Sequence, residues 1–104
     1  MTPEHILALI DWYERKLREA NVPKQRIDID RTFGSLNASE ALAHAHYLCD
    51  GIRAFATDPE RQRKAGSHLT AIQMCLSIAH WFTLRDLLGH NRTLPPGSLV
   101  DKKV

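Results

Sequence analysis

Apolar residues recur along this chain at steps of three and four rather than two, in four separate runs. In the first, Ile6, Leu9, Ile10, Tyr13, Leu17 and Ala20 form a stripe opposite Asp11, Glu14, Arg15, Arg18 and Glu19. Thr2 is suited to cap that helix, Pro3 to be its first residue and Glu4 to sit in its positive first turn. Asn21, ahead of Pro23, marks its end, so a helix over 3–20 is predicted. A second stripe of Ala41, Leu42, Ala45, Leu48, Cys49, Ile52 and Phe55 comes after Asn37 and Glu40, a capping-box spacing, and predicts a helix over 38–56. Asp58-Pro59 repeats the start signal, and Gly66 is the one breaker in the run beyond it, which predicts a third helix over 59–81. Thr83 and Asp86 open a short fourth helix over 84–90.

Residues 22–36 contain the alternation IDID but no second strand for it to pair with, so they read as a loop with room for one helical turn. After Arg92 come two prolines, a glycine and no stripe. The expectation is an all-α, four-helix domain over 1–92, followed by a flexible, poorly ordered tail over 93–104.

The third helix contains LTAIQMCLSIAHWFTL, Leu69 to Leu84, which carries no charge in a chain where 25% of residues are charged. On a helix Ala65, Leu69, Ile72, Leu76 and Ala79 make one apolar stripe, and Ala71, Cys75, Ile78 and Phe82 a second beside it. The remaining strip is Thr70, Gln73, Ser77 and His80, polar but without permanent charge. Either this helix is central, with the strip satisfied by backbone or water, or the strip meets another subunit or a ligand. Both hold if the chain is a homo-oligomer through helix 3, with Thr70, Ser77 and Phe82 at the interface.

Composition narrows the classes. A length of 104 residues supports one modest core, and a net charge of +2 with interleaved signs does not argue for nucleic acid. The uncharged stretch is too short for a bilayer crossing and contains polar residues, so no membrane partner is expected. The start of the chain lacks a basic region and a small-residue cleavage site, and Cys49 and Cys75 have neither CxxC spacing nor a disulfide-rich context. They read as reduced, buried thiols of a cytoplasmic protein.

Candidate chemistry is sparse. His44 and His46 point to different helix faces, and no HExxH or Cys/His cluster is present, so no metal or cofactor is expected. Asp11 and Glu14 face only Glu40 and Asp50 from helix 2 and no acid from the uncharged run of helix 3, a poor set for magnesium-dependent hydrolysis. No oxyanion turn or nucleophile elbow accompanies a Cys or Ser. The cluster Arg61, Arg63, Lys64, with Arg53 nearby, is a solvated face or a contact for phosphate or an acidic protein surface. Gly89-His90-Asn91-Arg92 is a helix terminus with Asn91 left-handed, or an anion-recognising corner built on Arg92 and Arg85.

The C-terminal half also resembles a family of small phage and prophage helical proteins. The resemblance is carried by Lys64, Ala65, Leu69, Ile72, Gln73, Leu76, Phe82, Thr83, Leu84, Asp86, Leu87, His90, Asn91 and Arg92, about thirty residues of chain. Ser67-His68 stand where that pattern has Arg-Trp, and Met74 where it has glycine. The resemblance brings no activity with it; it implies a phage-encoded protein in a host cytoplasm, a setting where small helical proteins without catalytic motifs block or sequester host defence components. The expected function is therefore non-enzymatic. In the leading form, a counter-defence protein sequesters a small anionic nucleotide between subunits, using Arg92, Arg85 or His90 for phosphate, Gln73 and His80 for base or sugar, Trp81 for packing, and Asn91 beside them. The alternative is a protein-interaction module that inhibits a host protein or serves phage assembly; a small enzyme with an unrecognised site is third.

Overall fold

The computed structural model describes residues 1–97. It contains four α-helices, α1 (Pro3–Glu19), α2 (Ala38–Ala56), α3 (Gln62–Ile78) and α4 (Leu84–Arg92), one 3-10 turn at Phe33–Ser35, and no strand among the described residues. The expected all-α architecture is the one observed.

Three of the four starts obey the local signals. The Thr2 side chain accepts the His5 N–H, and Asn37 with Glu40 and Thr83 with Asp86 both form reciprocal capping boxes. Helix α3 departs from expectation at both ends. Asp58 accepts the Glu60 N–H and its carbonyl accepts the Arg61 N–H, so Asp58-Pro59 closes a turn and the helix begins only at Gln62. At the other end the helix stops at Ile78 rather than Trp81, because His80 is left-handed, with φ of 64°. The Trp81 N–H then bonds the Leu76 carbonyl and the His80 N–H the Ser77 carbonyl, a Schellman cap. Helix α1 ends the same way at Asn21, whose φ is 58°. Asn91, a candidate for a left-handed helix end by residue type, is helical instead.

Helix α3 lies in the middle. Its Ala65, Leu69, Ile72, Cys75 and Leu76 are buried against Ala41, Ala45, Cys49, Ile52 and Ala56 of α2, the pair in most extensive contact. Alanines on both sides let the two backbones approach closely. Leu9, Ile10, Tyr13 and Leu17 of α1 close the core at 0 to 1% exposure. Complete burial of each such aliphatic side chain contributes about 1.5–3 kcal/mol. Both cysteines are free and buried, and burial pushes their thiols up to about 12 for Cys49 and about 11 for Cys75. Neither supplies a thiolate at neutral pH.

Buried Glu14 ties α1 to its neighbours. Arg53 of α2 donates to it and to Asp11, at 2.8 Å for the latter, while Lys24 lies 3.2 Å from Glu14 and 2.9 Å from Asp50. Burial alone would raise the Glu14 pKa, but hydrogen bonds from Arg53 and Lys24 outweigh it and hold the carboxyl below its ordinary range. Asp11, Glu14, Asp50 and Glu40, the acids with the spacing for metal-dependent chemistry, are thus engaged by cations. Segment 22–36 is anchored on α2 by the Gln25 N–H to the Ala43 carbonyl and by Arg31 to Glu40 at 2.7 Å.

Past Arg92 the described chain continues to Gly97 along α1. Leu94 packs against the core, Pro95 is buried and Arg15 donates to the Gly97 carbonyl, so 93–97 is held rather than free. The part of the expected tail over 98–104 lies outside the described residues.

The left-handed conformation of His80 costs a residue with a Cβ roughly 1–2 kcal/mol. His80→Gly is expected to raise stability by about 1 kcal/mol in urea unfolding, and His80→Ala to give no such gain. A glycine variant no more stable than the parent would contradict this explanation of how α3 ends.

Candidate functional site

Helix α4 runs back along the outer side of α3 and attaches to it through a chain of polar groups. Gln73 of α3 is buried at 7% exposure, and its Nε2 donates to Asn91 Oδ1 at 2.7 Å and to the Tyr13 hydroxyl at 3.2 Å. Asn91 Nδ2 returns a longer bond to Gln73 Oε1 at 3.4 Å. The Tyr13 hydroxyl in turn donates to His90 Nδ1 at 2.8 Å, and His5 Nε2 donates to the His90 carbonyl, also at 2.8 Å. Tyr13 from α1, Gln73 from α3, and His90 and Asn91 from α4 therefore share a continuous network. Burial pushes the Tyr13 pKa up to about 12 against the opposing Gln73 bond, and burial lowers that of His90 against the attraction of Asp86, so both are neutral near pH 7.

The His90 ring sits in an aromatic group, with centroids 4.8 Å from Phe82, 5.4 Å from Trp12 and 5.7 Å from Tyr13. Phe82, expected at an interface, points inward here; its ring lies 5.8 Å from Trp12 and 5.9 Å from Tyr13. The turn after His80 redirects the chain, so Phe82 does not continue the helical stripe that its spacing suggests.

The other expected site residues divide. Thr70, Gln73, Ser77 and Asn91 come together along one groove between α3 and α4. His80 does not join them, because its left-handed backbone takes it off the helical strip and leaves it exposed. Trp81 is half-buried against the core with its ring edge-on to Phe82. Arg85 and Arg92 are exposed and lie, by helical spacing, on the side of α4 away from Leu87 and His90. The seven residues expected around a ligand do not converge on one cavity.

Much of the groove wall consists of residues that the sequence pattern did not single out. Met74 and Ile78 of α3 face Leu84, Leu87 and Leu88 of α4 across a volume of about 570 Å³. Met74 is 47% exposed, Leu84 74% and Leu88 57%. A second hollow of about 490 Å³ shares Thr70, Gln73 and Asn91 with the first and carries the depression on to Gly66 and Arg63. No charged residue lines the first hollow. Thr70 Oγ1 is turned back onto the Gly66 carbonyl at 3.1 Å, which leaves its methyl for the groove. The available signal was the pair Leu84 and Leu88, four apart, beside Leu87: a nine-residue helix with more apolar surface than one contact covers.

Among the described residues no three His, Cys, Asp or Glu side chains come together as a metal-binding set, and no helix is long and apolar enough to cross a membrane. No family model, curated protein or solved structure matches the chain.

Tyr13→Phe removes the hydroxyl that joins Gln73 to His90, and is expected to cost about 1–3 kcal/mol in urea unfolding. Because the His90 pKa is depressed from 6.5 in the folded chain, folded protein binds fewer protons there than unfolded protein does. Its contribution is full above about pH 6.5 and is lost as pH falls through the depressed value. Unfolding midpoints taken from about pH 8 to about pH 5 should fall less steeply for His90→Phe than for the parent chain; equal slopes would contradict this assignment.

Proposed function

We propose that this chain is a non-enzymatic interaction protein that docks a partner protein on the α3–α4 groove. The observation that carries the reading is the exposure of Met74, Leu84 and Leu88 around a single uncharged hollow. Clustered exposed apolar side chains of this size mark contact surfaces in folded proteins. Of the polar residues that line it, Gln73 bonds Asn91 and Tyr13 and the Thr70 hydroxyl bonds the Gly66 carbonyl, which leaves burial, with Ser77 beside it, as the main source of affinity.

That same pairing is why the groove supports a protein partner better than a small anionic nucleotide. A nucleotide held by Gln73, Asn91 and His90 would have to break the network that attaches α4, and the outward Arg85 does not line the groove. With the resemblance of α3–α4 to phage proteins, the natural partner is a host or phage protein, and self-association through helix 3 would compete for the same face. Asp11, Glu14, Glu40 and Asp50, the acids spaced for metal-dependent chemistry, are paired with cations, and burial keeps the Cys49 and Cys75 thiols protonated.

A dye that fluoresces on apolar surface, anilinonaphthalene sulfonate, reads the groove directly. The folded chain is expected to enhance its emission, and the triple variant Met74→Gln, Leu84→Gln, Leu88→Gln to lose that enhancement while its unfolding free energy stays within about 0.5 kcal/mol. Enhancement that persists in the triple variant would overturn the assignment of this face.

A further inference from the structure

Charge is distributed unevenly around the groove. Helix α3 holds Arg63 and Lys64 and no acid, and α4 holds Arg85 and Arg92 against Asp86, whose carboxylate is engaged with the Thr83 N–H. Arg63 lines the hollow at the far end of the groove, and Arg92 comes directly after Asn91, which lines both hollows. Arg85 and Arg92 do not line the groove; by helical spacing they lie beyond Leu88 on its outer rim, one turn before and after it, whereas Arg63 precedes Gly66 and Thr70 on the groove side of α3. All three arginines are exposed and form no salt bridge among the described residues, whereas Arg53, Lys24 and Arg31 on the opposite side are paired with acids. The groove is thus an apolar floor with a basic border.

Its dimensions point to a helix. From Arg63 to Ile78 the α3 wall measures about 22 Å, the length of roughly 15 helical residues, and a furrow between two helices receives a third by ridge packing. A second copy of this chain would bring the same arginines against this border, placing like charges around the contact.

Resting on the docking role proposed above, we infer that the groove's occupant is an amphipathic helix of a partner protein with acidic residues flanking its apolar stripe. Leucine-type side chains at i, i+3 or i+4 and i+7 would fill the floor between Met74 and Leu88, and Glu or Asp beside them would meet Arg63, Arg85 and Arg92.

Two labelled synthetic helices of about 16 residues test this, sharing one leucine stripe and differing only in Glu or Lys flanks. Titrated with the full chain in fluorescence anisotropy, the Glu peptide is expected to bind roughly tenfold more tightly at low salt. That preference should shrink in about 0.5 M salt and reverse in the double variant Arg63→Glu, Arg92→Glu. Equal binding, or preference for the Lys peptide, would overturn the acidic partner and leave the groove as a docking surface. Binding of neither peptide by a chain that self-associates, with dissociation on Met74→Glu, would overturn it in favour of a second copy. Binding of neither by a monomer would overturn both this inference and the docking role.

Discussion

From Leu69 onward α3 carries no charge and has to be covered on nearly every side, and its neighbours decide how much of it remains bare. Helices α1 and α2 cover its inner half with the residues that form the core. The outer half falls to α4, which has nine residues against seventeen in α3, about 14 Å of cover for about 25 Å of helix. The far hollow, beside Gln62, Arg63, Gly66 and Ser67, is what this mismatch leaves, and the first hollow is the furrow between α3 and α4 themselves.

Apart from buried Leu87, the attachment of α4 is polar. Tyr13, Gln73, His90 and Asn91 satisfy one another in a setting where an unpaired buried group would cost about 1–3 kcal/mol, so the network sets the orientation of α4 on α3. That orientation turns Leu87 inward and leaves Leu84 and Leu88 at the groove. The same residues that looked available to a ligand are thereby the ones that build the surface.

Most of the fold was legible because its signals are local. Thr2, Asn37 and Thr83 cap the helices they precede, and the stripes of α1 and α2 face the core as their spacing requires. The ends of α3 were not legible, since Asp58-Pro59 signals a turn as readily as a cap, and a left-handed histidine leaves no glycine to mark the stop. The site was half legible. Thr70, Gln73 and Ser77 share a strip by spacing alone, and they do share a groove. His80 and Phe82 were misplaced because their positions depend on a backbone turn, and Leu84 and Leu88 were indistinguishable from core until the orientation of α4 on α3 was known. Gln73 and Asn91 were expected to hold a ligand, but they pair with each other, a contact across 18 positions that no periodicity reports.

Docking on the groove requires the outer face of α3 to be open in the isolated chain. Of the two methionines, Met74 lies in the hollow between α3 and α4 and Met1 in the far hollow, so the Met74 methyl resonance reports on the α3–α4 face. With a soluble gadolinium chelate added to dilute protein labelled at methionine methyls, the Met74 signal should broaden as an exposed methyl does. With isoleucine and leucine methyls labelled in the same sample, protection of Met74 equal to that of the buried Leu9 or Ile10 methyls would mean that α3 is already covered, and would contradict an open groove.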